Sequence, residues 1–163
     1  MKTNSIFLFL FFFGMLSAQA QKKVGIAWKS WGQLEQALKE KPKPVFLFFE
    51  AGWCAYCKKI ERDVFTKKQV IEKINAAYYA LKMNAESKDT IYFEGMAFIN
   101  EQAQTKRNGV HELPLLLASR KGKAFSLPAT LFLDEQFTVT TRVFEYYTSA
   151  QLLAILNSDQ LNR

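Results

Sequence analysis

Two hydrophobic patterns divide the chain. After Lys2, Ile6 to Leu16 form an apolar run of eleven residues, well short of the ~20 needed to cross a bilayer. Ala18-Gln19-Ala20 then places small residues at the two positions a signal peptidase reads. This pattern predicts an export signal over residues 1–20, cleaved near Ala20, and a single domain over residues 21–163. No cysteine follows the run, so no lipoprotein anchor is expected there, and no other apolar stretch approaches spanning length. The mature protein is therefore expected to be periplasmic or secreted, with no stable membrane insertion.

Beyond the signal, helix and strand patterns alternate. Ser30 is placed to cap a helix with Leu34, Ala37 and Leu38 on one face, stopped by Lys41-Pro42. Pro44 to Phe49 is continuously apolar, as suits a central strand buried on both faces. A second helix follows Ala51-Gly52-Trp53, with Cys57, Ile60 and Val64 as its buried stripe and Lys58, Lys59 and Arg62 in water. Thr66 is the expected cap of a third helix carrying Val70, Ile71 and Ile74, and Tyr78 to Met83 reads as a strand.

Ala85 to Gly109 is polar and lacks a sustained period; a short hairpin is expected around Glu94-Gly95. Leu113 to Ala118 is expected to be helical, with Pro114 tolerable only in the first turn. Thr130 to Asp134 and Thr138 to Phe144 read as strands joined at Glu135-Gln136, and Thr148 or Ser149 caps a last helix with Leu152, Leu153, Ile155 and Leu156. The sum is one α/β domain.

Composition sharpens this picture at two points. The chain is 49% apolar, which excludes disorder, and five of its 15 phenylalanines belong to the signal. Its formal charge of +7 is spread among acids at helical spacing, as in Lys58-Lys59-Ile60-Glu61-Arg62-Asp63, so solvated helix faces are expected rather than a nucleic-acid surface. The two cysteines are too few for a disulfide-stapled miniprotein.

Those two cysteines carry the chemistry, in Trp53-Cys54-Ala55-Tyr56-Cys57, where a strand ends and a helix begins. A structural disulfide closing so short a loop contributes only about 2 kcal/mol on loop entropy. Zinc wants about four ligands, and the chain offers one histidine, His111, and no further cysteine. His111 is read as a polar group at a helix start. A copper site assisted by Met83 or Met96 stays open, with nothing in the spacing to fix it. Redox chemistry accounts better for the arrangement. A sulfur at a helix N-terminus meets unpaired N–H groups and the positive dipole end, which stabilises the reactive thiolate. Cys54 is the expected nucleophile. Cys57, one turn later on the inward stripe, is the expected resolving thiol, attacking the mixed disulfide once it has formed.

The segment Phe48 to Lys59, Phe-Phe-Glu-Ala-Gly-Trp-Cys-Ala-Tyr-Cys-Lys-Lys, resembles the active-site segment of the thioredoxin superfamily. Its continuation, Ile60 to Phe65, is similar to the exported thioredoxin-like branch, which includes the C-terminal domain of the periplasmic disulfide-interchange reductase. Ser126 to Asp134 resembles the family's cis-proline loop and following strand. The resemblance covers about Pro44 to Leu156. It implies a thioredoxin-like α/β fold, a central mixed sheet of about four strands flanked by helices, with an insertion before the cis-proline loop.

The resemblance also implies roles. Pro128 is the expected cis-proline, preferred to Pro114, and Leu127 before it would offer its backbone to a substrate strand. Trp53 and Tyr56 would face substrate. Many family reductases hold a buried aspartate six residues before the first cysteine, where this chain has Phe48. Glu50 and Glu61 are the candidate substitutes for its proton transfer, the alternative for Glu61 being a surface ion pair with Lys58 or Arg62. Ala55-Tyr56 is neither the Gly-Pro of thioredoxin nor the Pro-His of the strong oxidant, which favours reduction or exchange over dedicated oxidation. The expected activity is exchange with disulfides of exported proteins, with an upstream thiol–disulfide electron donor or acceptor, no cofactor beyond the dithiol, and a monomeric chain. A metal-binding module and a redox-inert binding protein are the competing expectations.

Overall fold

The computed structural model describes residues 25–161; the expected export signal lies outside them. Seven strands and five helices follow in the order β1 (Trp28–Lys29), α1 (Trp31–Glu40), β2 (Val45–Glu50), α2 (Ala55–Asp63), α3 (Lys68–Ala77), β3 (Tyr79–Asn84), β4 (Ile91–Phe93), β5 (Met96–Phe98), α4 (Glu112–Ala118), β6 (Ala129–Leu133), β7 (Val139–Val143) and α5 (Ser149–Leu161). A 3₁₀ turn, Glu101–Gln104, lies between β5 and α4.

The central sheet has the order β1-β3-β2-β6-β7. It is thus five-stranded rather than about four. The added edge strand, β1, is two residues long and pairs parallel with Ala80 and Leu81 of β3, too short to leave a period in the sequence. β2 is central, parallel to β3 and antiparallel to β6. Its unbroken apolar run splits by the two-residue period of a strand. Phe46 and Phe48 enter one core with Ile60, Ile74 and Leu152, while Val45, Leu47 and Phe49 enter the other with Leu34, Leu81 and Leu113. Helices α2, α3 and α5 cover the first face; α1, α4 and β4 cover the second.

Local signals act largely as expected. Ser30 and Gln33 form a reciprocal capping box on α1. Thr148 and Gln151 exchange the same kind of bonds at the start of α5. The hairpin at Glu94-Gly95 forms, both residues having positive φ, 51° and 74°, the geometry of a tight two-residue hairpin turn. One cap differs. Lys67, without a side-chain bond, is the N-cap of α3, because the Thr66 hydroxyl donates instead to the Arg62 carbonyl at the end of α2. The β6–β7 turn is wider than a two-residue one: the Asp134 carboxylate accepts from Gln136 N–H and Thr138 N–H, with Phe137 at φ 62°.

Residues 85–111, between β3 and α4, form a rooted unit. The buried Asn100 side chain donates to Ser87 O at 2.9 Å and to Gly109 O at 2.8 Å, and accepts from Ala103 N–H at 3.0 Å. Gly109 lies so close to Gln102 that a Cβ there would collide with its backbone carbonyl. His111 N–H donates to Ala85 O at 2.8 Å, closing the unit onto the end of β3.

Candidate active site

β2 and β6 bring the site together. Their antiparallel register pairs Phe49 with Ala129, so the loop leaving β2 toward Cys54 and the Leu127-Pro128 segment entering β6 lie at the same end of the sheet. The Leu127–Pro128 peptide bond is cis and Pro128 is buried. Cys54 is the N-cap of α2, its sulfur accepting from Cys57 N–H at 3.2 Å. The two cysteines form a disulfide with Cα atoms 5.2 Å apart. Cys54 keeps 3% of its surface and Cys57 none. Both are buried, and the pair is asymmetric in that Cys54 stands at the N-terminus of α2 while Cys57 lies inside its first turn.

Around it lies an aromatic rim. Trp53 and Tyr56 are both 61% exposed. The Tyr56 and Tyr146 ring centroids are 6.2 Å apart, and Lys59 places its ammonium over the Tyr146 ring, 4.5 Å from the centroid. Trp53 Nε1–H donates to Glu86 Oε1 at 2.7 Å, and Asn108 Nδ2–H to the same oxygen at 2.9 Å.

Glu50, half-buried at the end of β2, has its carboxyl held above the usual carboxylate range. Burial is the main cause and the like charge of Glu61 the next, against the opposing Lys82 and Lys58. Glu61 pairs with Lys82 at 3.3 Å, not with Lys58 or Arg62; Arg62 instead binds Asp63. Helix spacing singles out near neighbours, whereas Lys82 reaches Glu61 from β3. Lys82, Glu86, Asn108 and Tyr146 were not legible as site residues, since each meets the loop only through the fold. His111 is fully buried at the N-cap of α4, with Nδ1 accepting from Leu113 N–H at 3.2 Å and Nε2 facing Asp89 O at 3.1 Å. Met83 sulfur takes the Trp31 indole N–H at 3.3 Å. Among the described residues no group of three or more His, Cys, Asp and Glu side chains is placed to hold a metal.

Comparison with known proteins decides the family, since residues 32–159 match the thioredoxin-like domain. The chain belongs to that family. In sequence it is similar to the thiol:disulfide interchange protein DsbD. It is 29% identical to DsbD of Campylobacter jejuni (strain RM1221) over 92 residues, 56% of this chain but only 14% of that protein. The fold is similar to that of the oxidoreductase DsbH, with a TM-score of 0.57, 19% identity, and coverage of 85% of this chain and 87% of that one. It is similar also to a thioredoxin from Thermus thermophilus, with a TM-score of 0.58, 16% identity and coverage of 82% and 86%.

Proposed function

We propose that this thioredoxin-like chain is exported by its residues 1–20 and, as the mature domain 21–163, reduces or exchanges disulfides in other exported proteins. The observation that carries this reading is the asymmetric pair, with Cys54 capping α2 and Cys57 wholly buried behind it. In the reduced protein the Cys54 thiolate attacks one sulfur of a substrate disulfide, forming a mixed disulfide and expelling the other substrate sulfur as a thiolate. Cys57 then loses its proton and attacks Cys54, which releases the second substrate thiol and leaves the Cys54–Cys57 disulfide. Two electrons pass to the substrate, and an upstream dithiol restores the pair. Leu127 and Pro128 border the site as the substrate loop, Trp53 and Tyr56 form its contact surface, and Glu50 and Glu61 serve as carriers for the Cys57 proton.

Insulin reduction tests the mechanism. Cys54→Ser is expected to abolish it, while Cys57→Ser is expected to accumulate mixed disulfides visible on non-reducing gels. Undiminished reduction by Cys54→Ser would sink the reading. Equilibration with glutathione gives the direction, a potential near about −270 mV marking a reductant and near about −120 mV an oxidant. A pair that does not equilibrate at all would make the chain a redox-inert scaffold.

A further inference from the structure

Beside the active-site loop lies a cleft of about 150 Å³ whose walls come from that loop, from both roots of the insertion and from the segment before Pro128. Trp53 stands on the active-site loop. Glu86, Asn108 and Val110 stand at the two roots of the insertion, and Phe125 and Leu127 in the segment leading to Pro128. We propose that this cleft is a specificity pocket for one aromatic or large aliphatic side chain of the substrate polypeptide, flanking its reacting disulfide. Glu86 and Asn108 are then positioning residues that set its width through Trp53. The proposal rests on the oxidoreductase reading above.

Size, lining and position all point to that occupant. A cavity of about 150 Å³ with an aliphatic and aromatic lining holds a benzene ring. Trp53, Val110, Phe125 and Leu127 supply such a lining here. Glu86 is the one ionisable group among the lining residues, and its Oε1 already accepts from Trp53 at 2.7 Å and Asn108 at 2.9 Å. The carboxylate oxygen is thereby committed to the wall rather than to a cationic guest. These bonds also explain how an indole that is 61% exposed is kept in one place. Trp53 directly precedes Cys54 and Leu127 directly precedes Pro128, so an occupant touches both segments that border the disulfide. The opposite wall depends on the insertion, whose roots are held together by Asn100 at Ser87 and Gly109.

The test uses the pre-reduced full chain and symmetric disulfide dimers of a short alanine-rich peptide. Phe replaces Ala at each of the two positions on either side of the cysteine in turn. At one position or more, Phe is expected to raise the second-order rate about tenfold over the Ala peptide, in line with burying one ring. Val110→Trp, which fills the cleft, and Glu86→Ala, which frees Trp53, are each expected to bring that ratio to within about twofold of unity, while Glu86→Gln keeps an acceptor and the preference. A purely structural loss would slow both peptides together and leave the ratio alone. Equal rates for every Phe position, in a wild type that does reduce the Ala peptide, overturn the pocket but not the oxidoreductase reading. A ratio that survives Val110→Trp also overturns the pocket, and one that survives Glu86→Ala overturns the positioning role. Reduction of no peptide by the wild type overturns the oxidoreductase reading and the pocket with it.

Discussion

Glu50 occupies the last position of β2, where the chain turns from the core toward Cys54. Because burial raises its folded-state pKa, the folded protein holds that proton more tightly than the unfolded chain does. Its contribution to stability is therefore most favourable where both states are protonated. It declines as pH rises from the unfolded carboxyl range, ~4.3, through the raised folded value. Glu50→Gln removes the charge and should raise the thermal midpoint at neutral pH, with the gain vanishing below about pH 4. Midpoints that differ by the same amount at both pH values would contradict this. Glu50 was legible as a candidate because it lies four residues from Cys54. Its surroundings were not, because Lys82 and Glu86 reach it from β3 and its end.

Helix ends show how one side chain can serve either of two elements. Thr66 has the residue type of an N-cap and stands just before α3, yet its hydroxyl satisfies a carbonyl of α2. Lys67 is left as a cap with extended backbone, φ −76° and ψ 127°, and no side-chain bond. A lysine there also places positive charge at the positive end of the helix dipole. Lys67→Ser should therefore stabilise the protein by about 1 kcal/mol, seen as a higher urea midpoint at unchanged slope. An unchanged or lower midpoint would show that α3 gains nothing from a cap. The other helices were readable because their stripes are local. Leu34 on α1, Ile60 on α2 and Leu152 on α5 all recur at helical spacing and all are buried.

For the molecule as a whole, the insertion is a unit hung on the end of β3 rather than part of the sheet. Asn100→Ala would strip the Ser87 and Gly109 carbonyls of a shared buried donor, at a cost of about 1–3 kcal/mol. Amide exchange should accelerate across residues 87–110 while β2 and β6 keep their protection, because local opening need not pass through the central sheet. Acceleration spread evenly over both would mean that insertion and sheet open together. The lack of period in this stretch was itself informative. A segment held by one asparagine, one close glycine approach and a short hairpin has no helix or long strand to announce.

What could be read from the chain alone was whatever near neighbours dictate: the central strand, the helix stripes, the Glu94-Gly95 turn, and two cysteines at a strand-to-helix junction with a proline loop far downstream. Those features follow from backbone geometry over a few residues. The folded chain added what distance along the sequence conceals. The Glu61–Lys82 pair joins residues 21 apart and the Trp53–Glu86 bond residues 33 apart. The two-residue edge strand exists only because β3 lies beside it. Such contacts leave no local signature, because nothing near either residue in the chain encodes which partner the sheet will bring.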